Sequence, residues 1–164
     1  MDAHVRAAVP AEVKQSVRDL YDEYAAVVDA MDLQRWTEYF TEDAVYRVIA
    51  RESYAMGLPH ATIYCDGMAM IRDRVTMLDR VAVFEPRVLR HFITGVRIQS
   101  ANADNIKATA NFLVIESLFD AEPQLLMVGE YVDEIAVTGG AMLFRKRDAI
   151  YDQSRVRTTL VFPV

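Results

Sequence analysis

The run Gln124-Leu125-Leu126-Met127-Val128-Gly129-Glu130-Tyr131-Val132-Asp133-Glu134-Ile135-Ala136-Val137, then Gly139-Gly140, then Ala141-Met142-Leu143-Phe144-Arg145-Lys146-Arg147, decides the fold. Its residues are β-branched, aromatic and aliphatic at a period of two. A Gly-Gly pair of the kind that accepts positive φ breaks it, so it reads as two strands joined by a tight hairpin. Upstream, Val88 to Ile98 and Ile106 to Phe119 read the same way, joined by the polar loop Ser100 to Asn105 and followed by the turn Asp120 to Pro123. The fourth strand extends from Ala141 to about Arg155. Short connections between successive strands make the neighbours antiparallel.

Before Pro86 the period is helical. Val13, Val17, Leu20, Tyr21, Tyr24, Val28 and Met31 fall at steps of three, four and seven, predicting a helix from Pro10 to Met31 with Glu12 in its first turn. A short helix follows from Asp32 to Phe40, with Asp32 as its cap and Leu33, Trp36 and Phe40 as its apolar stripe. Thr41-Glu42-Asp43 turns into a strand from Ala44 to Ala50, which has Tyr46 and Val48 on one face and Val45 and Ile49 on the other. A strand apolar on both faces is covered on both. Arg51 to Cys65 is irregular, punctuated by Gly57 and Pro59. Asp66 is read as the cap of a third helix, Gly67 to Arg80, whose buried stripe is Met68, Ile71, Val75 and Leu78. Helices first and a long meander second give an α+β fold, three helices packed on a curved, mainly antiparallel sheet. The 164 residues read as a single domain, 1–164, with residues 1–9 a loose N-terminal segment.

Composition narrows the function. A net charge of −6 with scattered Lys and Arg argues against a nucleic-acid surface. One cysteine, Cys65, excludes an internal disulfide framework and suits a reducing cytoplasm. No apolar run approaches the roughly 18 residues of a membrane span, and the N-terminus lacks a signal-peptide core. The chain is expected to be soluble and cytoplasmic.

The chemistry-bearing residues are few. His4, His60 and His91 are far apart, and a thiolate metal site needs more than Cys65, so no metal or cofactor is expected in this chain. Ser16, Ser53, Ser100, Ser117 and Ser154 lie in no nucleophile elbow, and Cys65 reads as an ordinary buried thiol. One alternative is a pocket between helices and sheet, where His91, Tyr24 and Tyr46, with Asp32 or Asp43, could supply an acid and a base. Against it, tyrosines at helical and strand spacing usually pack in a core with a satisfied hydroxyl. The strand charges Glu116, Glu130, Asp133, Arg145, Arg147 and Asp152 either pair across strands or meet another subunit.

The order helix, short helix, strand, helix, long meander resembles the nuclear-transport-factor-2-like (cystatin-like) cone. Four strings are similar to the small, or beta, subunits of aromatic-ring-hydroxylating dioxygenases. They are Trp36-Thr37-Glu38-Tyr39-Phe40-Thr41-Glu42-Asp43-Ala44-Val45-Tyr46-Arg47-Val48; the helix from Asp66 to Arg80 with Arg74 and Leu78; Leu89-Arg90-His91-Phe92-Ile93; and Gly129-Glu130-Tyr131-Val132-Asp133 with the strand through Arg147 and Asp152. They cover the chain from about Val17 onward. The resemblance implies a mainly structural subunit with no catalytic, cofactor-binding or metal-binding residue of its own. It implies a large (alpha) subunit partner that holds a Rieske [2Fe-2S] cluster and a non-haem iron and binds the aromatic substrate. It also implies an alpha3beta3 assembly with beta–beta contacts. Two other readings stay open. One is a stand-alone dehydratase or isomerase of this fold, like scytalone dehydratase or ketosteroid isomerase, using His91, Tyr24, Tyr46 and Asp32. The other is a small-molecule-binding or homo-oligomeric module.

Overall fold

The computed structural model describes residues 9–80, 85–153 and 162–164. Helix α1 (Ala11–Asp29) buries Val17, Leu20, Tyr21, Tyr24 and Val28 of the predicted stripe with Val27 beside them, while Val13 and Met31 are partly buried. It ends two residues earlier than Met31. The Met31 N–H donates to the Val28 carbonyl and the Asp32 N–H to that of Val27, while Met31 takes a left-handed φ of 57°. This is the paired-bond helix stop usually built on glycine. Asp32 then caps α2 (Leu33–Trp36), accepting from the Arg35 N–H at 3.1 Å. A 3-10 turn, Thr37–Tyr39, follows.

Six strands form one sheet in the order β2-β1-β6-β5-β4-β3. Strand β1 (Phe40–Ala50) begins four residues before the predicted Ala44, because Phe40 already pairs with Phe144 across an irregularity in the ladder. Phe40 is thus the first residue of a strand and not the end of a helix. The stretch from Arg51 to Cys65 is more regular than its punctuation suggests: it holds a short helix α3 (Arg51–Ala55) and the start of β2 (Ile63–Asp66), antiparallel to β1. Asp66 closes β2, Gly67 turns the chain, and α4 (Met68–Arg80) follows with Met68, Ile71, Val75 and Leu78 buried. The described helices are therefore four, the extra one too short to leave a periodic signal.

The meander is β3 (Arg87–Ala101), β4 (Asn105–Leu118), β5 (Gln124–Thr138) and β6 (Ala141–Tyr151), antiparallel throughout. The predicted end of the fourth strand near Arg155 lies outside the described residues. Gly139 and Gly140 have φ of 58° and 86°, the mirror-image turn that matches strand twist. Among the described residues the one parallel pairing is β1 with β6. At Gly129 the β6 backbone comes so close that a Cβ would lie 1.9 Å from the Ile150 carbonyl oxygen. The core lies between the inner face of this sheet and helices α1, α2 and α4. Among the described residues no helix is long and apolar enough to cross a membrane.

Candidate functional site: the polar interior of the cone

Alternation along β5 and β6 sends Tyr131, Asp133 and Ile135, and opposite them Arg147 and Ala149, into the core, and the register sets Asp133 directly against Arg147. The guanidinium is fully buried and donates from Nε and Nη2 to the two Asp133 oxygens at 3.2 and 3.1 Å. The Tyr21 hydroxyl of α1 donates to the same carboxylate at 2.5 Å. Rings enclose the cation: Arg147 Cζ lies 3.9 Å from the Phe144 centroid, 4.0 Å from Tyr131 and 4.1 Å from Tyr24. A buried charge survives only when paired and hydrogen-bonded, and the aromatic faces add to that here. Burial pushes the Asp133 carboxyl up to about 6, against the opposing pull of Arg147 and Tyr21. Burial works against the guanidinium, but Asp133 and the three tyrosines outweigh it and raise its pKa. Burial also lifts the Tyr21, Tyr46 and Tyr131 phenols well above their usual value, so they stay neutral.

Beside this pair lies a second closed set. The Trp36 Nε1–H donates to the Tyr24 hydroxyl at 3.0 Å, which donates onward to the Val164 main-chain oxygen at 3.0 Å. The Tyr46 hydroxyl donates to that oxygen at 3.2 Å and accepts from the Val164 N–H at 3.0 Å. Trp36, Tyr24, Tyr46 and Val164 are fully buried, and Trp36 and Tyr46 meet edge to face at 5.3 Å.

His91 lies elsewhere. It is on β3, separated from Tyr46 on β1 by β6, β5 and β4. Its Nδ1 is 2.7 Å from Asp29 Oδ1, and its backbone N–H donates to the same carboxylate at 3.0 Å. Nε2 is buried with no hydrogen-bond partner among the described residues. Asp29, Arg90 and His91 line an open surface cleft with Asp22, Ala26 and Ile93.

The structure thus brings Tyr24 and Tyr46 together and leaves the other predicted members apart. Asp32 is an exposed helix cap, and Asp43 is exposed, accepting from the Thr41 hydroxyl at 2.7 Å and lying 3.8 Å from Arg145. Neither can act on a group held by the two tyrosines. Cross-strand pairing accounts for Asp133 with Arg147, and Glu116 pairs with Arg87 at 2.6 Å. Asp29 and Val164 are the partners sequence reasoning missed. Asp29 sits at the end of a helix among other surface acids, and Val164 is 118 residues from Tyr46.

Metal chemistry is tested by the donors present. Cys65 is the chain's one thiol, buried, with its pKa raised by that burial; a mixed Cys and His iron–sulfur cluster needs two. Among the described residues no three His, Cys, Asp or Glu side chains are grouped to hold a metal.

A helix-lined, strongly curved α+β sheet with a filled polar interior defines a member of the nuclear-transport-factor-2-like class. Residues 23–158 match the model of the ring hydroxylating beta subunit family, and the chain belongs to that family. It is 31% identical to the anthranilate 1,2-dioxygenase small subunit of Burkholderia cepacia, over 88% of this chain and 90% of that one. It is 28% identical to a terephthalate 1,2-dioxygenase terminal oxygenase beta subunit of a Comamonas species, over 86% and 92%. The crystal structure of the beta subunit of a candidate aromatic-ring-hydroxylating dioxygenase from Novosphingobium aromaticivorans superposes with a TM-score of 0.85 at 32% identity, covering 93% of this chain and 97% of that one.

Proposed function

We propose that this chain is the mainly structural small subunit of an aromatic-ring-hydroxylating dioxygenase, working in the cytoplasm with a large subunit that carries the Rieske cluster, the non-haem iron and the substrate pocket. The observation that carries the reading is the state of the inner polar groups. The Tyr24 and Tyr46 hydroxyls are bound to Val164, and Asp133 is bound by Arg147 and Tyr21, so none of these five side chains is free to address a substrate. No residue of the chain is assigned a catalytic or metal-binding role, and residues 1–164 act as one domain. The assembly is taken as alpha3beta3 with contacts between small subunits.

Co-expression with a Rieske-type large subunit tests this: the two chains are expected to co-elute in equal amounts at the mass of three of each, with all iron bound to the large chain. Separate elution at every concentration, or iron retained by the small chain alone, overturns it.

A second reading rests on one observation, the buried Nε2 of His91 held in place through Nδ1 by Asp29. Such a dyad is the geometry of a general base, and it would make the chain a dehydratase or isomerase in its own right. Turnover by the isolated chain that disappears in His91→Ala would establish that reading; an isolated chain inert toward hydroxylated and keto substrates removes it.

A further inference from the structure

The edge strand β3 changes face partway along. Thr94 opposes Asn111 and Arg97 opposes Thr109, so β3 carries one residue more than β4 between those pairs. Gly95 sits in the extra step with a φ of 65°. A bulge built on a left-handed glycine re-aims the side chains beyond it. Before it Leu89 and His91 are buried; after it Val96 and Ile98 pack against the core while staying half-buried. This bulged half of β3 faces the start of α1 across a cleft of about 300 Å³, lined by Val9, Lys14, Arg18, Val96, Arg97 and Ile98.

The cleft has two chemical halves. Val9, Val96 and Ile98 are apolar and half-buried, whereas Lys14, Arg18 and Arg97 are exposed cations. Lys14 and Arg18 are four residues apart and so share one face of α1. None of the three cations has an ion pair or a side-chain hydrogen bond among the described residues. Acids are not scarce, since Asp and Glu outnumber Lys and Arg by 24 to 18. Asp19, next to Arg18 in sequence, is bound by Gln15 and lines a different cleft with Glu23 and Gly140. No carboxylate lines the cationic one.

Single unpaired cations are ordinary at a wet surface. Three of them converging on an apolar floor state a preference. Guanidinium forks match a carboxylate in geometry as well as charge, and an apolar floor with a few polar groups is what small-molecule sites consist of. A concavity of this size receives one small molecule, whereas two folded chains need a far broader shared surface.

We propose that the cleft between the start of α1 and the bulged half of β3 binds short amphipathic carboxylates. The head group lies against Lys14, Arg18 and Arg97, and the apolar body against Val9, Val96 and Ile98. The cleft shares no residue with the polar interior, and the subunit role proposed above does not depend on it, so its failure would leave that role untouched.

The test is a titration of the full chain with hexanoate at low salt, followed by NMR. Saturable shifts are expected at Val96, Ile98 and the other residues of the cleft. Acetate, the head without the body, and hexan-1-ol, the body without the head, should each bind weaker by about tenfold or more. Arg18→Gln combined with Arg97→Gln changes two exposed side chains and should leave the fold intact while weakening hexanoate about tenfold. Raising NaCl to about 0.5 M should weaken it likewise, since exposed charges are screened. No saturation, shifts that fall elsewhere, acetate binding as tightly as hexanoate, or unchanged binding by the double variant each overturns the proposal. So does a full chain that ignores hexanoate while the double variant loses co-elution with the large subunit, the result of a cleft that receives an acidic segment of that partner. Should the double variant not fold, the acetate and salt comparisons on the unsubstituted chain decide in its place.

Discussion

The two faces of one sheet are finished differently. On the inner face of β5 and β6 a buried ion pair, Asp133 with Arg147, is sealed under α1 among aromatic rings. On the outer face of β3 and beyond β4 it is apolar groups that are left in water: Val88 is 50% exposed, Phe92 56% and Phe119 91%. The inner face has its charges enclosed and its Tyr21, Tyr24 and Tyr46 hydroxyls occupied, so it acts as structure. The outer face keeps apolar surface uncovered, as expected of a chain that is one member of a larger assembly.

The comparison breaks hardest at Arg147. Arg147→Ala strands Asp133 as an unpaired buried carboxylate and removes a cation from an aromatic cage, so urea denaturation should register a loss of about 3–5 kcal/mol. A loss below about 1 kcal/mol would mean that the inner pair is not sealed.

Next in size is the pH response. The folded Asp133 carboxyl keeps its proton up to about 6, against an ordinary value of 3.8, so between those values the folded chain binds more protons than the unfolded one. Stability contributed by this group is therefore greatest below that window and falls as pH rises through it, on the order of 2–3 kcal/mol across the range. Asp133→Asn should be less stable overall, yet its Tm profile should lack that slope between pH 4 and about 6. Parallel profiles for the two proteins would assign the slope to other groups.

Tyr46→Phe removes a hydroxyl that serves as donor and acceptor to Val164, and should cost about 1–2 kcal/mol in the same denaturation experiment. On the outer face, Phe92→Ser should change the stability of the isolated chain by less than about 0.5 kcal/mol, since its side chain is already largely in water. A larger loss there would show that the outer face is also part of the core.

Most of this fold was legible because long periodic segments announce themselves. The four meander strands, α1 and α4 carry many residues at one period, and Gly139-Gly140 marks its turn by chemistry that few other pairs share. What was hidden was short or remote. α3 and β2 have five and four residues, too few for a period to show. Phe40 fits the apolar stripe of a helix equally well, and only its pairing with Phe144 on a strand a hundred residues later makes it extended. The interior was half legible. Tyr24 and Tyr46 sit at core-facing positions that spacing reveals, whereas their common partner Val164 carries no mark in the sequence. His91 stood out as a rare residue type, but its companion Asp29 is one acid among many on α1.

The parallel pairing of β1 with β6 has a consequence for how the chain matures on the ribosome. Arg47 and Asp148 form a bidentate pair across that ladder although 101 residues separate them. Everything from α1 to β2 can emerge and coil locally, but β1 has no second neighbour until the last strand has been synthesised. At ordinary translation speeds of about 5–20 residues per second, that leaves β1 with an open edge for seconds, well within the time that unpaired strands find wrong partners. Closure of this sheet thus waits for β6. Its rate should depend on how quickly β6 finds β1 rather than on any step in the helices that precede it.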